Sequence, residues 1–450
     1  MGKTTVGSGP GGTQAPRSAA ACSPCLSFAD GALAVQTPWG GRAVGALLVN
    51  GVPVPAAWEP DRHGRPTCRH LQWRLTVEAQ AGLGFALLLE NAGTDAQRLE
   101  GVSWARWEAQ AVCPRLAALE FRELVHGGSF QSIGSGVKVV GRPGPELDPV
   151  AASSMLTVYQ HQDGGALLVG ILPPLGAAFA ELRTLHAEAH LEGAFGFEVV
   201  HRFDCEIEPG GCARTAVLIA LSGPDGTQLL EQYGKLWGER VAPPAGRPPV
   251  TGWNSWDYYS GAVTRQDMDT NLAAAAALLP GPGRVLVIDE GWETQWGTWE
   301  PNAKFPGGLA DYCRHVAAAG WVPGIWTAPL LVNTYNPLYL ERPEWFARRA
   351  DGQPQTDSYS YGPMAYLDPT VPEVLEHVAA LFRRLRAAGF GYFKVDFAHC
   401  ILRAVRFRDA RVGRNELLRR AYAAIRAAIG ADAYLLSCGA PYESVVGLAD

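Results

Sequence analysis

The sequence has no run of about eighteen or more apolar residues: even its greasiest segments are broken by Gly, Pro or charge within about a dozen positions, which excludes a helical membrane span and predicts a soluble protein. The first 25 residues lack the continuous apolar stretch of a secretory signal, and being rich in Gly, Ser, Thr, Ala and Pro they read as a disordered tail. A charge excess is also missing. With 38 Lys and Arg against 44 Asp and Glu, the net charge of −6 offers no broad positive field to hold nucleic acid, so a neutral ligand is expected. The nine cysteines (22, 25, 68, 113, 205, 212, 313, 400 and 438) are odd in number and follow no framework spacing. This argues against a disulfide-stapled secreted scaffold and for a reducing cytoplasm. Cys22-Ser-Pro-Cys25 has the spacing of a metal or redox pair, but no second pair or nearby His completes it, and it reads as two free thiols. No Gly-x-Gly-x-x-Gly opens a helix after a strand, no His-Glu-x-x-His or clustered His/Cys set occurs, and no Gly-x-Ser-x-Gly elbow joins a strand to a helix. Neither a cofactor nor a metal is expected.

A chain of 450 residues exceeds one compact core, because single cores stop growing near about 250–300 residues. From 26 to about 225, short β-type runs (46–49, 85–89, 166–171, 216–220) alternate with Gly, Pro and Asp turns, which predicts an antiparallel β-sandwich. Residues 227–240 read as one amphipathic helix, and the Pro-rich stretch 242–249 then blocks both helix and ladder, so 226–250 is a helix and linker. Beyond it the rhythm changes. Apolar strands at 251–256, 284–289, 322–327, 392–397 and 434–438 alternate with helical patterns near 264–279, 308–319, 371–389 and 411–429. Doubly buried strands alternating with helices signal a parallel sheet and suit a (β/α)8 barrel over 251–450, of which about five strands are present. Such a set leaves two parallel edges unpaired.

Polar residues fall at the strand ends where a barrel gathers its chemistry: Asp289 and Glu290, Trp326, Lys394 and Asp396, and Cys438. In 392–397 strand alternation puts Lys394 and Asp396 on one side and Phe393, Val395 and Phe397 on the other, so the cation keeps the carboxylate ionised as a nucleophile requires. The competing reading makes Asp396 a helix cap paired with Lys394. Asp289 and Glu290 fit a pair of ionised carboxylates accepting bonds from sugar hydroxyls, or a solvated loop pair. Among the dense tryptophans (253, 256, 292, 296, 299, 321, 326), Trp256 and Trp326 are the expected pocket faces and Trp321 the expected core residue. His399 and Cys400 read as packing or capping groups.

Together, Gly252-Trp-Asn-Ser-Trp256, Ile288-Asp-Glu-Gly-Trp292, Pro323-Gly-Ile-Trp-Thr-Ala-Pro329, Tyr392-Phe-Lys-Val-Asp-Phe397 and Ser437-Cys-Gly-Ala-Pro441 resemble glycoside hydrolase family 36. The likeness extends back through Leu229-Leu-Glu-Gln-Tyr233 and thinly to Gly127-Gly-Ser-Phe-Gln-Ser132, so it covers roughly 115–450. It implies an N-terminal β-supersandwich, a central barrel and hydrolysis of terminal α-galactosides with retention. It makes Asp396 the nucleophile, has Lys394 contact the sugar and Asp289 bind its hydroxyls with Glu290 beside it, and sets Trp256 and Trp326 as pocket walls and Cys438 as the floor. Two positions depart from the family's pattern: the acidic pair is Asp-Glu where Asp-Asp is usual, and Phe130 stands where many members present a tryptophan.

A retaining glycosidase needs two carboxyls about 5–5.5 Å apart, one to attack and one to protonate the leaving oxygen. On the resemblance, the acid belongs to an Arg-x-x-x-Asp-like segment shortly after the cysteine strand, and 445–450 stop short of it, with Asp450 as a preceding acid. A chain without that group is expected to be inactive on ordinary substrates even if folded, since general-acid help contributes about 10²–10⁴ in rate. A raffinose-synthase-like galactosyl transferase and a non-catalytic carbohydrate-binding remnant stand as alternatives. The linkage, the aglycone and the oligomeric state are not legible in the sequence.

Overall fold

The computed structural model describes residues 23–450 except 30, 31, 37, 39–41, 56, 81, 110–116, 121–135, 140–149, 154, 161–164, 174, 187–194, 242–249, 280–283 and 360. The tail up to Cys22, the Phe130 position with its loop, and most of the Pro-rich linker therefore lie outside the described residues. Ser23 and Pro24 pair antiparallel with Ser222 and Leu221, so a short strand begins just inside the stretch read as a tail.

The N-terminal half is two antiparallel sheets, one of 11 strands and one of 8. The four predicted runs fall on the strands Arg42–Val49, Gly84–Asn91, Ala166–Leu172 and Val217–Gly223, the last starting one residue after its run does. Ala166–Leu172 shows why simple in/out alternation fades here, because every residue in it is buried. Leu167 and Val169 face the core between the sheets, whereas Ala166 and Leu168 face a second core with Leu229, Tyr233, Leu236 and Trp237 of the helix Gly226–Arg240. That helix is pinned as well as packed. Ile171 O accepts from Tyr233 Oη at 2.7 Å and from Trp237 Nε1 at 3.1 Å, so the two buried donors of the helix are both satisfied.

The C-terminal half carries five parallel strands in chain order: Thr251–Asn254, Arg284–Ile288, Val322–Thr327, Tyr392–Val395 and Tyr434–Ser437. The first and fifth form the edges of this sheet. Helices Arg265–Leu278, Gly308–Ala318, Pro372–Ala388 and Arg414–Ile429 connect them, each close to its predicted span. Local chemistry sets their ends: Thr264 and Asp267 form a capping box, and Gly389 ends its helix at φ 116°, where only glycine is unstrained. The architecture is thus a β-supersandwich followed by an incomplete (β/α)8 barrel.

One element was not anticipated. Between the third and fourth barrel strands, Leu331–Asn333, Thr356–Tyr359 and Gly362–Tyr366 form a three-stranded antiparallel sheet over the strand ends. Its runs are short and polar-laced, too brief to show a period. The sandwich meets the barrel through backbone bonds, Glu206 N to Ala410 O at 2.8 Å and Asn415 N to Ala177 O at 3.1 Å. Among the described residues no helix is long and apolar enough to cross a membrane, and the seven described cysteines are all free thiols.

Candidate functional site

The site is built where the barrel strands end. Asp289 follows the second strand and is 1 % exposed. Its Oδ2 accepts from Lys394 Nζ at 2.8 Å and from Asn254 Nδ2 at 2.8 Å, while its Oδ1 accepts from Glu290 N at 2.9 Å. Its own amide donates to Ser255 Oγ at 2.9 Å. The first, second and fourth strands are thereby tied together at one carboxylate. Burial acts to lower the Lys394 ammonium, but the charge of Asp289 and the bond to it, with smaller help from Asp396 and Cys438, outweigh burial and raise it.

Asp396 lies one residue past the fourth strand. Its Oδ2 accepts from Trp326 Nε1 at 3.2 Å, its Oδ1 from Phe397 N at 2.8 Å, and its amide donates to Thr327 O at 2.9 Å. The Cys438 thiol also donates to this carboxylate; burial first and the Asp396 charge second push that thiol up to about 11. Two sequence expectations change here. Lys394 and Asp396 do share a side, but the direct partner of Lys394 is Asp289, so its influence on Asp396 is that of a neighbouring charge. Alternation also stops at Val395, because Phe397 turns into the left-handed region at φ 53°. Its ring therefore joins Trp296 (5.7 Å), Tyr359 (5.5 Å) and Trp326 (6.5 Å), while Phe393 packs beneath on Phe382. Asp396 caps no α-helix; a short 3-10 turn, Ala398–Arg403, follows it.

The two predicted pocket tryptophans differ. Trp256 is 38 % exposed, its amide held by Asn254 Oδ1 at 2.8 Å. Trp326 is 1 % exposed and presents an N–H to the carboxylate rather than a face to solvent. Trp321 is core, 2 % exposed, with the Arg284 guanidinium over its ring. His399 and Cys400 are both buried.

Glu290 is 6 % exposed, and its Oε1 is buried without a hydrogen-bond partner among the described residues. Burial, then the charges of Glu293, Asp289 and Asp396, push its carboxyl up to about 8 against the weaker pull of Lys394. Burial and these neighbours therefore work against ionising Glu290, whereas the sequence reading made both acids of the pair ionised acceptors. Sequence reasoning gave no role to Asn254, Ser255, Glu293, Trp296 or Tyr361. Asn254 and Ser255 sit inside the quoted Gly252–Trp256 segment, so a polar pair at a strand end was the available signal. Glu293, Trp296 and Tyr361 come from loops, where spacing carries no such signal. Glu293 accepts from Gly291 N at 3.0 Å and Trp296 Nε1 at 3.2 Å, and burial still raises its carboxyl. Among the described residues no cluster of three or more His, Cys, Asp and Glu could hold a metal.

The arrangement gathers a cradled carboxylate, an ion pair, a further buried acid and a cluster of aromatic rings at the strand ends, which suits a polyhydroxylated ring. Residues 250–425 match the family model described as Melibiase. The probable alpha-galactosidase G of Emericella nidulans is 31 % identical over 162 residues, covering 32 % of this chain and 21 % of that protein. Among solved structures, the alpha-galactosidase of Thermus thermophilus in complex with stachyose has a TM-score of 0.54 and 26 % identity, over 86 % of this chain and 77 % of that one. The alpha-galactosidase AgaA of Geobacillus stearothermophilus, at 14 % identity and a TM-score of 0.57 over 95 % of this chain and 60 % of that one, shares the fold. The match spans about a fifth of the length of the first curated relative.

Proposed function

Since residues 250–425 match the melibiase family model, we propose that the protein is a retaining α-glycosidase acting on terminal α-D-galactosyl residues, with Asp396 as its nucleophile. The observation that carries this reading is the setting of Asp396: a carboxylate at a barrel strand end, fixed by Trp326 Nε1 and Phe397 N, beside the Asp289–Lys394 pair. Two donors on different oxygens fix the plane of the carboxylate and so the direction from which a lone pair meets an anomeric carbon.

In the first step an Asp396 oxygen forms a bond to that carbon as the glycosidic C–O bond breaks, and the leaving oxygen takes the electron pair and a proton from a general acid. Water, giving its proton to the same general acid now acting as base, then displaces Asp396 and restores the configuration. The acid role is given to none of the residues named here; on the family resemblance it belongs to a segment after the fifth barrel strand. Lys394, held by Asp289, and Glu290 face the sugar hydroxyls; Trp256 lines the rim and Cys438 steadies the nucleophile from below. The free thiols among the described residues favour a reducing compartment.

The nucleophile can be tested independently of the general acid. A dinitrophenyl 2-fluoro-α-galactoside has a leaving group that needs no protonation, so it traps the first intermediate without the acid. Incubation followed by peptide mass spectrometry is expected to place one fluorogalactosyl group on the 392–397 peptide, with none on Asp396→Asn. A label on another carboxylate, or a rate indifferent to Asp396, refutes the assignment. Release of product onto added sucrose rather than water would favour the transferase alternative.

A further inference from the structure

The strand ends around Asp396 gather more carboxyls than cations. Asp289 and Asp396 come from the second and fourth strand ends, and Glu290 and Glu293 from the loop after the second. Against them stand Lys394, committed to Asp289 at 2.8 Å, and Lys304, which donates to Gly261 O at 2.6 Å and acts on Glu293. The hydroxyl of Tyr361, from the loop between the two longer insert strands, completes the groups around Glu290 and adds no positive charge. Ionising Glu290 would place one more negative charge at a buried position where Asp289, Asp396 and Glu293 already crowd.

Glu290 is also the group with capacity to spare. Asp289 Oδ2 already accepts two bonds and its Oδ1 one, so that carboxylate chiefly organises Lys394, Asn254 and the Glu290 backbone. Glu290 Oε1, buried and unpartnered among the described residues, is a polar atom open to a ligand, since leaving it unmet is unfavourable. Every neighbouring carboxylate can only accept. A sugar hydroxyl whose own proton goes to one of them still has lone pairs to fill, and a neutral acid fills them.

Building on the galactoside reading, we propose that Glu290 meets the sugar as a neutral carboxylic acid, donating a hydrogen bond to a ring hydroxyl, so that sugar binding is lost as this group ionises. The usual role of a carboxylate beside a sugar, an ionised acceptor, is reversed at this position. Binding becomes a function of pH even where the ligand and the catalytic chemistry do not titrate.

The experiment is calorimetric titration of the full chain with methyl α-D-galactopyranoside, a ligand without titratable groups, from about pH 6 to about pH 9.5, using wild type and Glu290→Gln. With the carboxyl near 8, the wild-type Kd is expected to hold steady below about pH 7 and to rise toward tenfold per pH unit above 8. Glu290→Gln keeps a donor and has no charge to gain, so its Kd is expected to be flat across the range, whatever its value at neutral pH. As a check that does not depend on the variant binding sugar, the protonated carboxyl band in the wild-type infrared spectrum that is absent from Glu290→Gln should persist at pH 7 and fade above 8. A wild-type Kd that stays flat, a Glu290→Gln profile that follows the wild type, or the absence of that band at pH 7 overturns the inference alone. No binding at any pH overturns the galactoside reading and this inference with it.

Discussion

Replacing Lys394 by Met removes the cation from a carboxylate that has lost nearly all access to water. The two partners are 15 % and 2 % exposed and 2.8 Å apart. At that distance, with an effective dielectric of about 20, their gross attraction is about 6 kcal/mol. The net loss is smaller because the pair also carries a desolvation penalty; breaking one side of a buried pair typically costs about 3–5 kcal/mol. Here the Asp289 carboxylate keeps Asn254 Nδ2 and Glu290 N as donors, which places the expected loss at the lower end, about 3 kcal/mol. Urea denaturation followed by tryptophan fluorescence measures it. The companion variant Asp289→Asn and the double variant complete a cycle in which the double variant recovers much of the loss, because no unpaired charge remains. A Lys394→Met protein within about 0.5 kcal/mol of wild type would refute the reasoning, since it would mean that Asp289 reaches water or finds another cation.

Two further outcomes are expected. Gly291 sits at φ 111°, and an added Cβ would lie 2.5 Å from Gly261 O, so Gly291→Ala is expected to destabilise by about 2 kcal/mol or more and to displace Glu290; a melt unchanged from wild type would refute this. Because the Cys438 thiol is raised to about 11, its alkylation by iodoacetamide should be slow at neutral pH and climb about tenfold per unit toward that value, faster in Asp396→Asn; labelling at the rate of an ordinary thiol at pH 7 would refute the placement beside Asp396.

The order of elements was open to sequence reading because it rests on periodicity and on caps. Five apolar strands alternating with helices appear as such, and Thr264 with Asp267 or Gly389 ends a helix by local geometry alone. Residue types at strand ends were equally legible: Asp289, Lys394, Asp396, Trp326 and Cys438 fall on one mouth because parallel strands all end on the same side. Which of them touch was decided only in three dimensions. Sequence neighbours suggested that Lys394 serves Asp396, whereas parallel pairing with its neighbours turns its ammonium onto Asp289, 105 residues away. Likewise, the chain shows Glu290 as one more acid, and only its burial in the fold, with carboxyls from two strands and a loop around it, raises its carboxyl. Local backbone preference is written in neighbouring residues, but protonation and pairing depend on distance and desolvation, which exist only after the chain has folded.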